Sequence, residues 1–422
     1  MQRLAQELLD AILDCLQDDT ESLRNSSLVA RAWISTPRRH LFRRIAINSF
    51  FAVRYRHNAH SFLELCDSPH RTFRVALQSV VLDINNAELL DKILDALEGT
   101  SFTELFFIDY FSENDHPGAL TRLGARLPPQ VERLSYNSPE CATGTDLFFL
   151  PASLPNLRSL VVHLALRSIE KPTLYFPPPA TASLAHLQTV RLRMSGQHLA
   201  QALAWFQATD ARVETLDVEI IHYFHNGWGP VAGINAFLQA SREWLRHLHL
   251  RVSYDDNSDI DELERVRRAA DGPVDLSPLT NIRTLHLRSH DLEAVCTALD
   301  SLPKELSSIG SVEIATILWP ISGDSDDEGE SDATCQCDLA ALFARLARSM
   351  GGAQFSHLLE FALLIPDVFD EESVNAVGRL FPLWKENRAL KVGFTHSSDH
   401  QEDSWRSVSD LLNRLAKRDD ED

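Results

Sequence analysis

Leu187-Gln188-Thr189-Val190-Arg191-Leu192-Arg193 carries apolar residues at its first, fourth and sixth positions. Leu245-Arg246-His247-Leu248-His249-Leu250 and Ile282-Arg283-Thr284-Leu285-His286-Leu287 do the same. Neighbouring side chains of an extended chain point to opposite faces. Val190 and Leu192 therefore turn one way, Arg191 and Arg193 the other, and each segment predicts a short strand with one buried face.

The same spacing runs along most of the chain. It recurs at Leu77-Val80-Leu82, Phe102-Leu105-Phe107, Val131-Leu134-Tyr136, Leu157-Leu160-Val162, Val213-Leu216-Val218 and Ile309-Val312-Ile314. Leu358-Phe361-Leu363 and Ala389-Val392-Phe394 complete the series. First positions lie 25 to 37 residues apart, except for one interval of 49. Short strands at near-constant intervals predict a solenoid, in which each unit buries its apolar face against its neighbours. Segments with helical apolar spacing fall between the strands: 88–97, 198–206, 234–244, 291–302, 339–350 and 373–384.

This alternation resembles the leucine-rich repeat. The resemblance implies parallel strands on a concave face and helices on a convex one. The asparagine that normally follows the strand stands only at Asn85; Ser195 and Ser253 are small polar substitutes, while Tyr110 and Ile221 are not. An irregular array over 76–400 is expected, with another parallel-strand α/β fold as the alternative. The 49-residue interval holds Gly323-Asp324-Ser325-Asp326-Asp327-Glu328-Gly329-Glu330-Ser331-Asp332. Dense like charge without apolar residues predicts a disordered loop, placed at 322–338. Residues 401–422 predict a capping helix, through Trp405, Val408, Leu411, Leu412 and Leu415, followed by a charged tail.

The N-terminus reads differently. Leu8, Ile12 and Leu16 recur at four-residue spacing with Leu9 and Leu13 beside them, a helix with a broad apolar face. Asp18, Asp19 and Thr20 stop it and can cap a second helix carrying Leu23. A third helix is expected to carry Leu28, Val29, Ala32 and Trp33, and Thr36-Pro37 to cap and open a fourth. So few residues have too small an interior for this much apolar surface, which then needs a neighbour or a partner.

The order of these residues resembles the F-box of fungal substrate adaptors. The resemblance rests on Leu4-x-x-Glu7-Leu8-Leu9-x-x-Ile12-Leu13-x-x-Leu16, on Ser27-Leu28-Val29-x-Arg31-x-Trp33, and on Arg38-Arg39-His40-Leu41-Phe42. Two positions depart from the pattern: Ala5 replaces a proline and Ala30 a cysteine. The resemblance implies an all-helical module at 1–47 that binds a Skp-family adaptor, and through it a cullin–RING ubiquitin ligase. The implied adaptor-binding residues are Leu4, Leu8, Leu9, Ile12, Leu16, Leu28, Val29, Trp33 and Leu41. A helical connector at 48–75 would join the module to the array. A helical cap packed on the rest of the chain is the alternative.

Composition narrows the classes. Sixty acids against 40 bases leave a formal charge of −20, which disfavours nucleic acid and anionic membranes as partners. No apolar run is long enough to span a bilayer, and no basic-then-apolar leader opens the chain, so an intracellular protein is expected, cytoplasmic or nuclear. The six cysteines lack paired zinc spacing, and Cys335-Gln336-Cys337 alone suggests little. No phosphate loop, nucleophile elbow or metalloprotease motif is present, so neither enzymatic activity nor a cofactor is expected.

The expectation for target binding rests on the outward strand positions. Arg191, Arg193, His247, His249, Arg251, His286 and Arg288, with His290 beyond them, form a local basic exception in an acidic chain. Asp217 and Glu219 interrupt it and are expected to neutralise its centre in part. Arginine forks suit carboxylates and phosphates, which points to an acidic or phosphorylated protein target. Ordinary solvated strand surface is the competing reading. A metal site at His247, His249 and His286 lacks a carboxylate or cysteine at matching spacing. An interaction scaffold without ubiquitination and an unrecognised enzyme with histidine-rich strands are the other functional readings.

Overall fold

The computed structural model describes residues 6–30, 33–48, 59–68, 74, 76–84, 86–109, 119–138, 147–164, 176–179, 184–222, 230–254, 273–289, 292–306, 308–316, 341, 343–356, 358–366 and 390–395. Two compact units are present, the first built on residues 1–187 and the second on 188–405.

The first unit opens with helices α1 (Gln6–Asp14), α2 (Thr20–Val29) and α3 (Ser35–Leu41). Asp19 caps α2, its side chain accepting from the Ser22 amide at 3.0 Å as the acid run predicts. Leu9, Leu13 and Leu23 are buried and make the small interior. Asp14 locks α1 to α3, accepting from Arg39 Nη2 and meeting His40 Nε2, both at 2.7 Å. The His40 contact, then Arg39, hold the Asp14 carboxyl below its ordinary range against its desolvation.

Two helix boundaries differ from expectation. Leu28 and Val29 close α2 instead of opening a third helix, and Ala30 behind them is fully extended. Thr36 lies inside α3, where its hydroxyl donates to Asp10 at 2.5 Å; Ile34 holds the cap position without a side-chain bond. Tertiary bonding to Asp10 outweighs the local capping preference.

Strands follow: β1 (Arg44–Asn48), β2 (Ser79–Ile84), β3 (Glu104–Asp109), β4 (Arg133–Ser138) and β5 (Ser159–Leu164). All pair in parallel and in chain order. Strand β1 corrects two expectations at once, since residues 1–47 are not all helical and the strand series begins before residue 76. Phe42, Ile45 and Ile47 keep the repeat spacing, and pairing with β2 fixes them as a strand. Within the expected connector, α4 (Ala59–Asp67) is helical and packs on β1. Helices α5 (Ala87–Leu97), α6 (Ala119–Arg126) and α7 (Phe149–Ala152) complete the unit. Asn86 caps α5, and Gly99 ends it at φ 78°, a left-handed position that favours glycine. Leu90, Ile93, Leu94 and Leu97 bury its inner face, with α5 packed on β2.

The second unit repeats the plan with β6 (Thr189–Ser195), β7 (Thr215–His222), β8 (His247–Tyr254), β9 (Thr284–Ser289), β10 (Ser311–Thr316), β11 (Glu360–Pro366) and β12 (Leu390–Thr395). These too are parallel and in chain order. Helix α8 (Gly196–Ala208) packs on β6 and β7 and against α9 (Pro230–Ser241), while α10 (Leu292–Ser301) packs on β9. Helical turns at 343–350 match the expected segment there. Helix α9 stops at Ser241, three residues short of the expected end, because Arg242–Trp244 turn into β8.

A backbone device recurs at nine strand entries among the described residues. One carbonyl just before a strand accepts two consecutive amides of the next strand's entry. Arg43, Gln78, Thr103 and Glu132 do this in the first unit, and Gln188, Glu214, Arg246, Arg283 and Gly310 in the second. The predicted inner residues of β2 to β11 are all buried. The chain is thus α/β, with parallel strands throughout both units. The expected loop at 322–338, the helix at 373–384, His290, Leu4 and the segment 401–422 lie outside the described residues.

Candidate docking surfaces

The residues matched at the N-terminus separate into two sets. Leu9 is buried inside the helices, and Leu16, Trp33 and Leu41 are half-buried. Leu8, Ile12, Leu28 and Val29 instead face outward, 57%, 54%, 84% and 66% exposed. Leu8 and Ile12 stand one turn apart on α1, and Leu28 and Val29 end α2. Among the described residues, seven large apolar side chains are exposed, and four of them are these. Leaving such side chains in water forgoes about 2 kcal/mol each relative to burial.

The target-binding candidates all lie on the outer side of β6 to β9. The register sets Arg191, Asp217, His249, His286 and Glu313 in one row across β6–β10. Arg193, Glu219, Arg251, Arg288 and Ala315 form the next row toward the strands' C-terminal ends. His247 stands one step back, with Nδ1 2.8 Å from Thr284 Oγ1.

These side chains form a charge lattice. Asp217 is 3% exposed, and Arg251 Nη2 donates to both its oxygens at 3.0 Å. Arg191 Nε lies 2.8 Å from the same carboxylate, and Arg193 Nε lies 3.2 Å from Glu219. Neither of those two contacts has the N–H alignment of a hydrogen bond, so both act as charge contacts. Arg251 also comes within 4.0 Å of Glu219. The two acids therefore pair with Arg191, Arg193 and Arg251.

His249 and His286 stack face to face, ring centroids 4.0 Å apart and 9° from parallel. Burial first, then the neighbouring His286, push the His249 pKa down to about 4 despite Asp217 at 4.0 Å. His247 is lowered as well, chiefly by burial. Among the described residues no group of three or more His, Cys, Asp or Glu side chains is placed to hold a metal ion. No helix among them is long and apolar enough to cross a membrane. Glu313, which extends the row, was missed by sequence reasoning; its place opposite His286 in the tenth strand was the available signal.

The first unit has a different outer row. Asn48, Asp83, Ile108, Asn137 and His163 align across β1–β5. Asp83 is buried, and its Oδ1 has no hydrogen-bond partner among the described residues. Desolvation raises its pKa to about 6.

No family model matches the sequence, and no described protein aligns with it significantly.

Proposed function

We propose that this chain is the substrate-recognition subunit of a Skp–cullin–F-box type ubiquitin ligase. Its N-terminal helices hold a Skp-family adaptor, and its strand array holds a protein target. The chain performs no catalysis itself; holding the target beside a charged enzyme raises the local concentration of the reacting lysine. The array is read as an irregular leucine-rich-repeat solenoid with its strands on the concave face. The eleven spaced triads and the repeated carbonyl device support that reading.

The observation that carries the proposal is the exposure of Leu8, Ile12, Leu28 and Val29. They are motif-matched positions in two short helices whose interior is already filled by Leu9, Leu13 and Leu23. Exposed apolar groups of this density mark a protein-docking surface.

Changing Leu8, Ile12, Leu28 and Val29 to aspartate tests it. The melting temperature should stay within a few degrees, because these side chains are outside the core. Co-purification with a Skp-type adaptor and its cullin should fall at least tenfold. A folded quadruple variant that still recovers the adaptor overturns the proposal. Wild-type recovery of an adaptor without cullin makes the chain a scaffold instead.

A further inference from the structure

We propose that Arg288 is the docking cation for a carboxylate side chain of the captured protein. The inference rests on reading the strand face as the surface that holds the target, and it names the chemistry of that hold.

The lattice already uses its other arginines. Asp217 takes Arg191 and Arg251, and Glu219 takes Arg193 and, more distantly, Arg251. Arg288 follows Arg251 in the row, but Ala315 beyond it on β10 has no acceptor side chain. Its Nε, like those of Arg191 and Arg193, is buried without a hydrogen-bond partner, but Arg288 also has no carboxylate within 4.0 Å among the described residues. Glu219, two strands away in the same row, and more weakly Glu313, two residues before Ala315, act on Arg288 only through space, opposed by Arg251 and Arg193. A half-buried guanidinium with unused donors is costly until an anion completes it.

Charge selects the anion. Across β6–β10 the lattice holds Arg191, Arg193, Arg251 and Arg288 against Asp217, Glu219 and Glu313. Four cations against three anions leave one positive charge, with His249 held neutral near pH 7 by burial. A carboxylate closes that balance, whereas a phosphoryl dianion would leave the face negative. The Nη groups of a guanidinium donate two parallel hydrogen bonds to a carboxylate. The flat His249–His286 stack lies in the adjoining row.

Fluorescence anisotropy on the full chain tests this with three labelled peptides of one Gly/Ser backbone. Their central residue is glutamate, glutamine or phosphoserine. The glutamate peptide should bind at least tenfold more tightly than the glutamine peptide. Arg288→Ala and Arg288→Gln should each abolish that preference. Arg133→Ala, on β4 of the first unit, should change it less than threefold, because that arginine lies outside this face. Absent binding of the glutamate peptide, an equal affinity for glutamine, or a preference that survives both Arg288 variants overturns the inference. A tenfold preference for phosphoserine over glutamate overturns the carboxylate assignment. Adaptor co-purification is read in parallel. An adaptor-bound chain without acid preference sinks this inference alone, and acid preference without adaptor sinks the ligase reading alone.

Discussion

Asp83 and His249 stand on outer strand faces of different units and titrate in opposite senses. Asp83, raised from its ordinary 3.8 to about 6, binds its proton more tightly folded than unfolded. Its burial therefore costs stability above about pH 6, and that cost is recovered as pH falls toward 4. His249, lowered from 6.5 to about 4, is held neutral in the fold while the unfolded chain takes up a proton. Stability is therefore lost as pH falls from about 6.5 to about 4. Asp83→Asn should stabilise the first unit by up to about 3 kcal/mol near neutral pH, a gain that vanishes near pH 4. His249→Gln should remove the acid-side loss from the second unit. Urea unfolding followed across pH checks both, and a flat difference for either variant contradicts its assignment. The sequence showed which residues share an outer face, because alternation is local. It could not show that Asp217 is fully paired while Asp83 is not, since each depends on side chains from other strands.

At the scale of elements, apolar spacing located β2 through β12, because a buried strand face imposes its period on every repeat. Strand β1 escaped because Phe42, Ile45 and Ile47 also fit the exit of a helical module, and only pairing with β2 decides between the two. The close approach of α8 and α9 was also hidden. A Cβ added at Gly233 would lie 3.0 Å from both the Cα and the Cβ of Ala200. The helices must part to admit a side chain, since backbone at Ala200 cannot rotate away. Gly233→Val should cost about 1–3 kcal/mol, an overpacking loss visible in thermal melting. A neutral substitution would mean that the two helices do not cross at these residues. The N-terminal sites were legible as a set of apolar positions, yet only the helix packing separates Leu9 and Leu13, which hold the module together, from Leu8 and Ile12, which face out.

Across the whole molecule, every described strand pair joins neighbours in sequence. Such an array has stability that sums over repeats and their interfaces, so damage should spread outward from a struck repeat rather than everywhere at once. Leu248 is fully buried in β8, level with Leu216 on β7 and Leu285 on β9. Leu248→Ala should cost about 2–5 kcal/mol locally through lost transfer energy and the cavity left behind. Hydrogen exchange should then show amides of β7, β8 and β9 losing the most protection, with smaller losses at β6 and β10. Amides of β2, β3 and β4 should keep theirs, because no described pairing links them directly to the struck strand. A uniform loss across all strands would mean that the chain unfolds as one cooperative body, which the solenoid reading forbids. Losses graded by distance from β8 would instead follow from stacked repeats, each held chiefly by its two neighbours.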